Sequence, residues 1–214
     1  MAGVVGTVHD KFVFSRRVQV LAAKLAELIP RGARVLDVGC GDGTIDRLVL
    51  QKRPDISIEG IDVLIRPSTQ IPVKHFDGAH YPYPDNSFDI VMFVDVLHHT
   101  DDPMVLLREA ERVGNMILIK DHLREGFLGL TTLRMMDWVG NAHHGVRLPY
   151  NYWSKEQWNA AFDKLGLKVG EINLKLGLYP APLSWFFENG LHFVARIEHI
   201  SERRPVPADF RRAG

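Results

Sequence analysis

The residues of this chain that are best suited to chemistry form a loop in which every second position is glycine. Gly39, Gly41 and Gly43 follow an apolar run that contains Asp37, and an apparent helix begins directly after them. Alternating glycines let a ligand lie against bare backbone because no Cβ intervenes. The helix N-terminus adds N–H groups that have no partner within the helix. The spacing therefore predicts a binding loop for a nucleotide-like cofactor.

Two further acids end later apolar runs. Asp62 lies about 20 residues beyond the glycine loop, the spacing at which a carboxylate meets the ribose hydroxyls of a bound nucleoside. A carboxylate can accept hydrogen bonds from both hydroxyls of a vicinal diol. Asp77, with Gly78 and Ala79, is placed to receive an adenine amino group. A dinucleotide fingerprint would have glycine or alanine where Thr44 stands, so a dinucleotide cofactor is disfavoured.

The elements that must position these residues alternate between strand and helix. Apolar spacing predicts strands over 34–38, 56–62, 73–76, 88–94, 115–120, 167–174 and 192–199, with helices over 15–30, 44–52, 103–113 and 155–166. This alternation is typical of an α/β fold with a doubly wound parallel sheet. Residues 122–153 and 175–190 interrupt it after strand ends, at the edge where such sheets bind ligands.

Composition limits the classes of partner. The 214 residues include 26 basic and 26 acidic side chains, so no global field draws the protein to nucleic acid or to anionic lipid. No window approaches the roughly 20 apolar residues of a membrane span, and the first residues lack signal-peptide features. We expect a cytoplasmic protein with no membrane insertion. Residues 1–200 are predicted to form a single domain, followed by a mobile basic tail over 201–214.

Together these motifs resemble the class I methyltransferases that use S-adenosylmethionine, most closely the small-molecule enzymes of the methyltransferase type 11-like group. The resemblance is detailed from Phe12 to Val113 and looser as far as His199. It implies a Rossmann-like, seven-stranded sheet that is mostly parallel with a reversed last strand. The interruption of the alternation over 122–153 is predicted to be a lid inserted after the fifth strand. It also implies S-adenosylmethionine as cofactor. The cofactor-binding residues that it implies are Asp37, Gly39, Cys40, Gly41, Gly43, Asp62, Val63, Asp77, Gly78, Ala79, Val94 and Asp95.

Candidate catalytic residues follow from the chemistry of methyl transfer, which is an in-line displacement on a donor that is already electrophilic. The protein must place the nucleophile and exclude water. An oxygen nucleophile additionally favours a histidine base. Asp121 and His122 come after the fifth predicted strand, so His122 is the first candidate and Asp121 could orient an amine acceptor instead. His143 or His144 would replace His122 if the lid folds over the pocket.

The acceptor pocket is predicted from aromatic and polar side chains around the lid. A lid packed with its own aromatic residues would explain the same composition. The two adjacent histidines after the fourth strand, with Asp101 and Asp102, suggest a divalent metal, but Asp102 before Pro103 is better explained as a helix N-cap, and we predict no metal. The predicted substrate-binding residues are His98, His99, Asp137, Trp138, Asn141, Tyr150 and Tyr152.

The leading hypothesis is methyl transfer from S-adenosylmethionine to the oxygen or nitrogen of a small-molecule acceptor. An RNA or protein methyltransferase is an alternative. The neutral net charge disfavours it and the basic tail weakly favours it, and on balance we do not expect a nucleic-acid partner. A non-catalytic S-adenosylmethionine-binding scaffold or regulatory subunit is a second alternative. The apolar stretch 176–187 is suited to a pocket wall or to a homodimer contact.

Overall fold

A computed structural model describes residues 16–124, 133, 151–181, 184–187 and 190–200. The strands are β1 (Arg34–Val38), β2 (Ser57–Asp62), β3 (Val73–His75), β4 (Phe88–Val94), β5 (Gly114–His122), β6 (Leu167–Asn173) and β7 (His192–His199). The helices are α1 (16–28), α2 (Thr44–Lys52), α3 (Pro103–Val113), α4 (Lys155–Lys164) and α5 (Ser184–Phe187), with one 3₁₀ turn at Leu97–His99.

All seven strands form one sheet in the order β3-β2-β1-β4-β5-β7-β6. The pairs from β3 through β5 are parallel, whereas β7 is antiparallel to both β5 and β6. The predicted seven-stranded, mostly parallel sheet with a reversed last strand is therefore confirmed. The strand order reverses direction between β1 and β4, which is where doubly wound sheets form their ligand crevice.

Helices cover both faces of the sheet. Leu36 and Val38 point from β1 into a core that contains α3 and α4, and Val35 points into the opposite core with α1 and α2. Each fully buried aliphatic side chain of this kind contributes roughly 1.5–3 kcal/mol. These two apolar layers hold the strand ends, and with them the glycine loop, in fixed positions.

Capping residues fix where the helices begin. The Asp102 side chain accepts a hydrogen bond from the Met104 N–H at 2.9 Å, with Pro103 in the first turn of α3, so its prediction as an N-cap is confirmed. Ser154 and Gln157 form the predicted capping box of α4. Among the described residues, no helix has both the length and the apolar composition needed to cross a membrane.

The predicted end of the fifth strand was wrong in a way that affects the site. β5 does not stop at Lys120 but continues to His122, because Asp121 and His122 pair with Phe193 and His192 of β7. Asp121 and His122 are 1% and 8% exposed. They therefore lie inside the sheet and not on a rim loop, and His122 belongs to β5 and not to the predicted lid over 122–153. Most of that lid, and the tail over 201–214, lie outside the described residues.

Candidate active site

The glycine loop adopts a conformation that depends on glycine. Gly39, Gly41 and Gly43 all have positive φ, at 75°, 61° and 74°. At Gly39 an added Cβ would lie 2.7 Å from Val96 Cγ2, so the loop packs directly against the turn that follows β4. A side chain at this position would separate two of the strand ends that form the crevice.

A cavity of about 660 Å³ lies beside this loop, bounded by α1, the loop itself, the segment after β2 and the end of β4. Half of the residues that the sequence predicts to bind the cofactor line this cavity. The others lie at the next strand ends or, for Gly43, at the start of α2. The predicted residues that line the cavity are Asp37, Gly39, Cys40, Gly41, Val94 and Asp95.

Asp62 connects the glycine loop to the end of β2. Its Oδ2 accepts from the Gly41 N–H at 2.8 Å, and its Oδ1 accepts from the Leu64 N–H at 2.8 Å. Each carboxylate oxygen has a second lone pair, so the arrangement is compatible with additional hydrogen bonds from a ribose. The ribose contact itself remains a prediction.

Asp77 caps the turn after β3. Its carboxylate accepts from the N–H groups of Ala79 and His80 at 2.8 and 2.7 Å, and these hydrogen bonds lower the pKa of the carboxyl. Val63 is 55% exposed, and an added Cβ at Gly78 would lie 3.3 Å from Val63 Cγ1. The ends of β2 and β3 thus present an apolar surface of the kind that a base can pack against. The predicted adenine contacts of Asp77, Gly78 and Ala79 are not tested by these distances.

Asp95, at the end of β4, is held by two cations. It has a left-handed backbone conformation with φ 57°. Its Oδ2 accepts from Arg17 Nη2 at 2.8 Å, and its Oδ1 accepts from Nζ of the fully buried Lys120. Burial would raise the pKa of the Asp95 carboxyl, but Lys120 and Arg17 outweigh burial and hold it well below its usual range. Asp95 is therefore a fixed negative charge that joins α1, β4 and β5 at the cavity edge.

Behind Asp95, one carboxylate orients two imidazoles. Asp121 Oδ1 lies 2.6 Å from Nδ1 of His98 and 3.3 Å from Nδ1 of His122, while Oδ2 accepts from the Leu97 N–H at 3.0 Å. Although burial opposes it, contact with the two histidines lowers the pKa of Asp121. An ionised carboxylate only accepts hydrogen bonds, so we assign the proton of both rings to Nδ1. The Nε2 atom of His122 is then an acceptor, and no hydrogen bond occupies it within the described residues.

The environment of His122 keeps its imidazole neutral. Burial, followed by the ammonium of Lys120, lowers the pKa of His122 to about 4. Aromatic rings surround it: the ring centroids of His98, His192 and Tyr152 lie 4.6, 4.7 and 5.7 Å away. We call His98, Asp121, His122 and Tyr152 the histidine cluster.

Three of the predicted substrate-binding residues, His98, His99 and Tyr152, meet here. The His98 ring stacks on Tyr152 at 5.1 Å, and the His99 ring lies 4.0 Å from that of His98. The remaining predicted catalytic and substrate residues, Asp137, Trp138, Asn141, His143, His144 and Tyr150, lie outside the described residues.

The histidine cluster also has a geometry that a metal ion could use. One ligand atom from each of His98, Asp121 and His122 lies within 4.8 Å of the others. However, the nearby charges already balance: Arg17 and Lys120 both pair with Asp95, and Lys120 also interacts electrostatically with Asp121. A divalent ion would add uncompensated charge to a buried region, which is unfavourable. The absence of a metal therefore stays a prediction. The possible ligands in the described structure are those of the histidine cluster, and not His98 and His99 with Asp101 and Asp102 as the sequence suggested.

A protein family described as a methyltransferase domain matches residues 10–172 of this chain. The chain belongs to this methyltransferase family. The likeness extends to solved structures: a chain in the complex between the Haloferax volcanii Trm112 methyltransferase activator and a methyltransferase has a TM-score of 0.63, with 18% identity and coverage of 88% of this chain and 92% of that chain. At this identity the match shows a shared methyltransferase fold.

Curated relatives of this methyltransferase-family chain differ in what they methylate. The 27-O-demethylrifamycin SV methyltransferase of Amycolatopsis mediterranei is 29% identical over 121 residues, covering 48% of this chain and 44% of that protein. The tRNA (carboxymethyluridine(34)-5-O)-methyltransferase of Schizosaccharomyces pombe is 28% identical over 94 residues, covering 42% of this chain and 40% of that protein. The chain thus spans less than half the length of these relatives.

The cavity of this methyltransferase fits the cofactor that the family implies. S-adenosylmethionine carries an ammonium group, and Asp37 offers a cavity-lining carboxyl whose buried Oδ1 has no hydrogen-bond partner in the described structure. At Gly41 an added Cβ would meet nothing within 4 Å, so the backbone there is open to a ligand. An unpaired buried oxygen and an open backbone are what an amino-acid moiety needs.

Sequence reasoning missed three charged residues of this site. Lys120 ends an apolar run that predicts a buried strand. A charged side chain in a buried strand indicates that it has an ion-pair partner. Asp46 lies on the inner side of α2 between apolar residues, a similar signal. Arg17 gave no signal, because only the packing of α1 brings it to Asp95.

Proposed function

We propose that this protein transfers a methyl group from S-adenosylmethionine to a hydroxyl oxygen of a small-molecule acceptor. The observation that carries the proposal is the neutral imidazole of His122, oriented through Nδ1 by Asp121 and placed 3.5 Å from the cavity-lining residue Asp95. A base that is oriented by a carboxylate and lies beside a cofactor cavity is suited to taking a proton from an acceptor.

The chain binds the cofactor through its strand ends. Asp37 accepts from the ammonium group, the glycine loop supports the amino-acid moiety with backbone, and Asp62 accepts from the ribose hydroxyls. When bound, S-adenosylmethionine supplies an electrophilic methyl group. Asp95, fixed by Lys120 and Arg17, lies between the cofactor cavity and the histidine cluster and holds them in a constant relative position.

His122 handles the acceptor proton. Nε2 accepts a hydrogen bond from the acceptor hydroxyl and orients its oxygen toward the cavity. As that oxygen becomes methylated, its proton becomes far more acidic than an imidazolium, so an imidazole with a pKa of about 4 still takes it. A methylated amine, in contrast, is a weak acid that would keep its proton. The low pKa of His122 therefore favours an oxygen acceptor over a nitrogen acceptor.

Burial and charge favour a small acceptor. His122 and Tyr152 are 8% and 3% exposed, so the histidine cluster admits a compact group and not an extended strand. The chain has no net charge, whereas nucleic-acid binding draws most of its affinity from basic residues. The Amycolatopsis relative is named for an O-methylation of a small molecule, and the Schizosaccharomyces relative, named for tRNA, makes RNA the alternative to be tested.

The test is incubation of the protein with methyl-labelled S-adenosylmethionine and a fractionated cell extract. We expect label in the small-molecule fraction, as a methyl ether or a methyl ester. Treatment with base distinguishes the two, because it hydrolyses the ester and leaves the ether intact. The variant His122→Ala should lower kcat by roughly 100-fold, the range for loss of a general base, and leave the affinity for S-adenosylhomocysteine unchanged. The matched control is His75→Ala, an exposed histidine on β3.

Other outcomes contradict the proposal in separate parts. Label in RNA would overturn the small-molecule acceptor. Full activity of His122→Ala would overturn the role of His122. Binding of S-adenosylmethionine without transfer to any fraction would favour the non-catalytic scaffold.

A further inference from the structure

A second buried acid lies on the first turn of α2, beneath the glycine loop. Asp46 is 0% exposed, and neither of its carboxylate oxygens receives a hydrogen bond from another residue's N–H or O–H in the described structure. Its side chain lies within hydrogen-bonding reach of the Asp37 carboxyl. Asp37 is 3% exposed and lines the cavity. Nothing in the resemblance to methyltransferases assigns a role to Asp46.

Two carboxyl groups in contact and out of water cannot both be charged at moderate cost. Burial and mutual repulsion raise the pKa of Asp37 well above its usual value, and burial raises the pKa of Asp46 to about 6. The charged groups that act on the pair from the surrounding elements strengthen this effect, because they are acids. They are Asp62 at the end of β2 and Asp42 in the loop; the Cys40 thiol, whose pKa the pair raises, stays neutral beside them, and the cation Arg17, on α1, lines the same cavity.

We infer that Asp46 is the proton-holding partner of Asp37: the pair carries one proton and one negative charge, and when an ammonium group binds, the proton lies on Asp46 so that Asp37 faces the ligand as a carboxylate. The O–H bond on Asp37 breaks and one on Asp46 forms, so no proton leaves at neutral pH. The single charge of the pair matches the single charge of an ammonium. The ligand part of this inference rests on the proposed function, since it needs a cofactor with an ammonium group.

Asp46 is in this sense a positioning residue that acts through Asp37. The Asp46 hydroxyl donates to one oxygen of Asp37 and leaves the other for the ligand. An asparagine at position 46 would reproduce this donor permanently, because its amide N–H₂ takes the place of the carboxyl O–H. An alanine would remove it and leave a buried carboxylate without a donor.

The test compares Asp46→Asn with Asp46→Ala, and uses Asp163→Asn, an exposed aspartate on α4, as the control. Calorimetric titration with S-adenosylhomocysteine at pH 7.5 should give wild-type affinity within about twofold for Asp46→Asn and for the control. Asp46→Ala should bind about tenfold more weakly. Equal weakening by Asn and Ala, or no weakening by Ala, would overturn the positioning role.

A second measurement needs no ligand. Infrared spectroscopy of the wild-type protein at pH 7.5 should show the C=O stretch of a protonated carboxyl group, and this band should be absent from Asp46→Asn, where Asp37 is ionised. A band that persists in Asp46→Asn would overturn the shared proton. Failure of the wild-type protein to bind S-adenosylhomocysteine would refute the proposed function. The infrared result does not depend on binding, so it would still test the shared proton.

Discussion

Two pairs of aspartates lie near the cavity, one on β1 and α2 and the other at the ends of β4 and β5, and their pKa values shift in opposite directions. Asp37 and Asp46 contact each other, and their pKa values are raised. Asp95 and Asp121 are paired with Lys120, Arg17 and two histidines, and their pKa values are lowered. Three of the four carboxyls, those of Asp37, Asp46 and Asp121, are buried, and Asp95 is partly buried. The partner, and not the burial, decides the charge.

The difference suits the two halves of the site to different tasks. The pair beneath the glycine loop forms no ion pair with a cation of the described residues, so it can accept a cation from a ligand. The pair at the ends of β4 and β5 is already compensated, so it can hold histidine side chains in place without attracting a further ion. Three experiments test this contrast, beginning with the one expected to change the protein most.

Lys120→Met should destabilise the protein by about 3 kcal/mol, because the change removes the buried cation that pairs with Asp95 and leaves the partly exposed Arg17 as its cationic partner among the described residues. The measurement is the free energy of unfolding in urea. Lys74→Met is the matched control, since Lys74 forms an exposed pair with Glu59 and should change stability by less than about 1 kcal/mol. Equal losses in both variants would show that burial of Lys120 adds nothing.

Asp46→Asn should stabilise the protein at pH 8 by up to about 3 kcal/mol. This is the free energy that corresponds to a shift in the pKa of Asp46 from 3.8 to about 6. Because the pKa is higher in the folded state, the wild type loses stability as the pH rises from about 4 through 6. The gain should therefore vanish near pH 4. Thermal unfolding from pH 4 to 8 measures it, with Asp163→Asn as control; a gain that is constant with pH would point to packing instead of ionisation.

Added Zn²⁺, Mg²⁺ or Mn²⁺ should leave the thermal unfolding temperature unchanged, because the charges around the histidine cluster already balance. Elemental analysis of the purified protein is expected to find no stoichiometric metal. A bound ion that is lost from His98→Ala and retained in His75→Ala would reverse this prediction and identify the histidine cluster as a metal site.

Much of the cofactor side could be predicted because its signals are local. Asp37 and the three glycines lie within seven consecutive positions, and the φ angles that they need are dictated by that short segment. Asp62 and Asp95 ended recognisable apolar runs. The acceptor side was less predictable, since His98 and His122 come from different strand ends and meet only through Asp121.

The error at the end of β5 has the same origin. Apolar spacing stops at Lys120 because the next two residues are polar, yet Asp121 and His122 continue the strand by pairing with β7. Strand pairing between residues about 70 positions apart is not written in the local pattern. The sequence therefore predicted the wrong exposure for Asp121 and His122, whose roles stay predictions.

By itself the sequence determined the class of fold, the glycine loop and the acids that follow the strands, because periodicity and backbone freedom are properties of neighbouring residues. Only the tertiary structure decided which of those acids are charged. Burial sets the penalty for a charge and the nearest partner sets its compensation, and for Asp46, Asp95 and Asp121 that partner lies on another element of the fold.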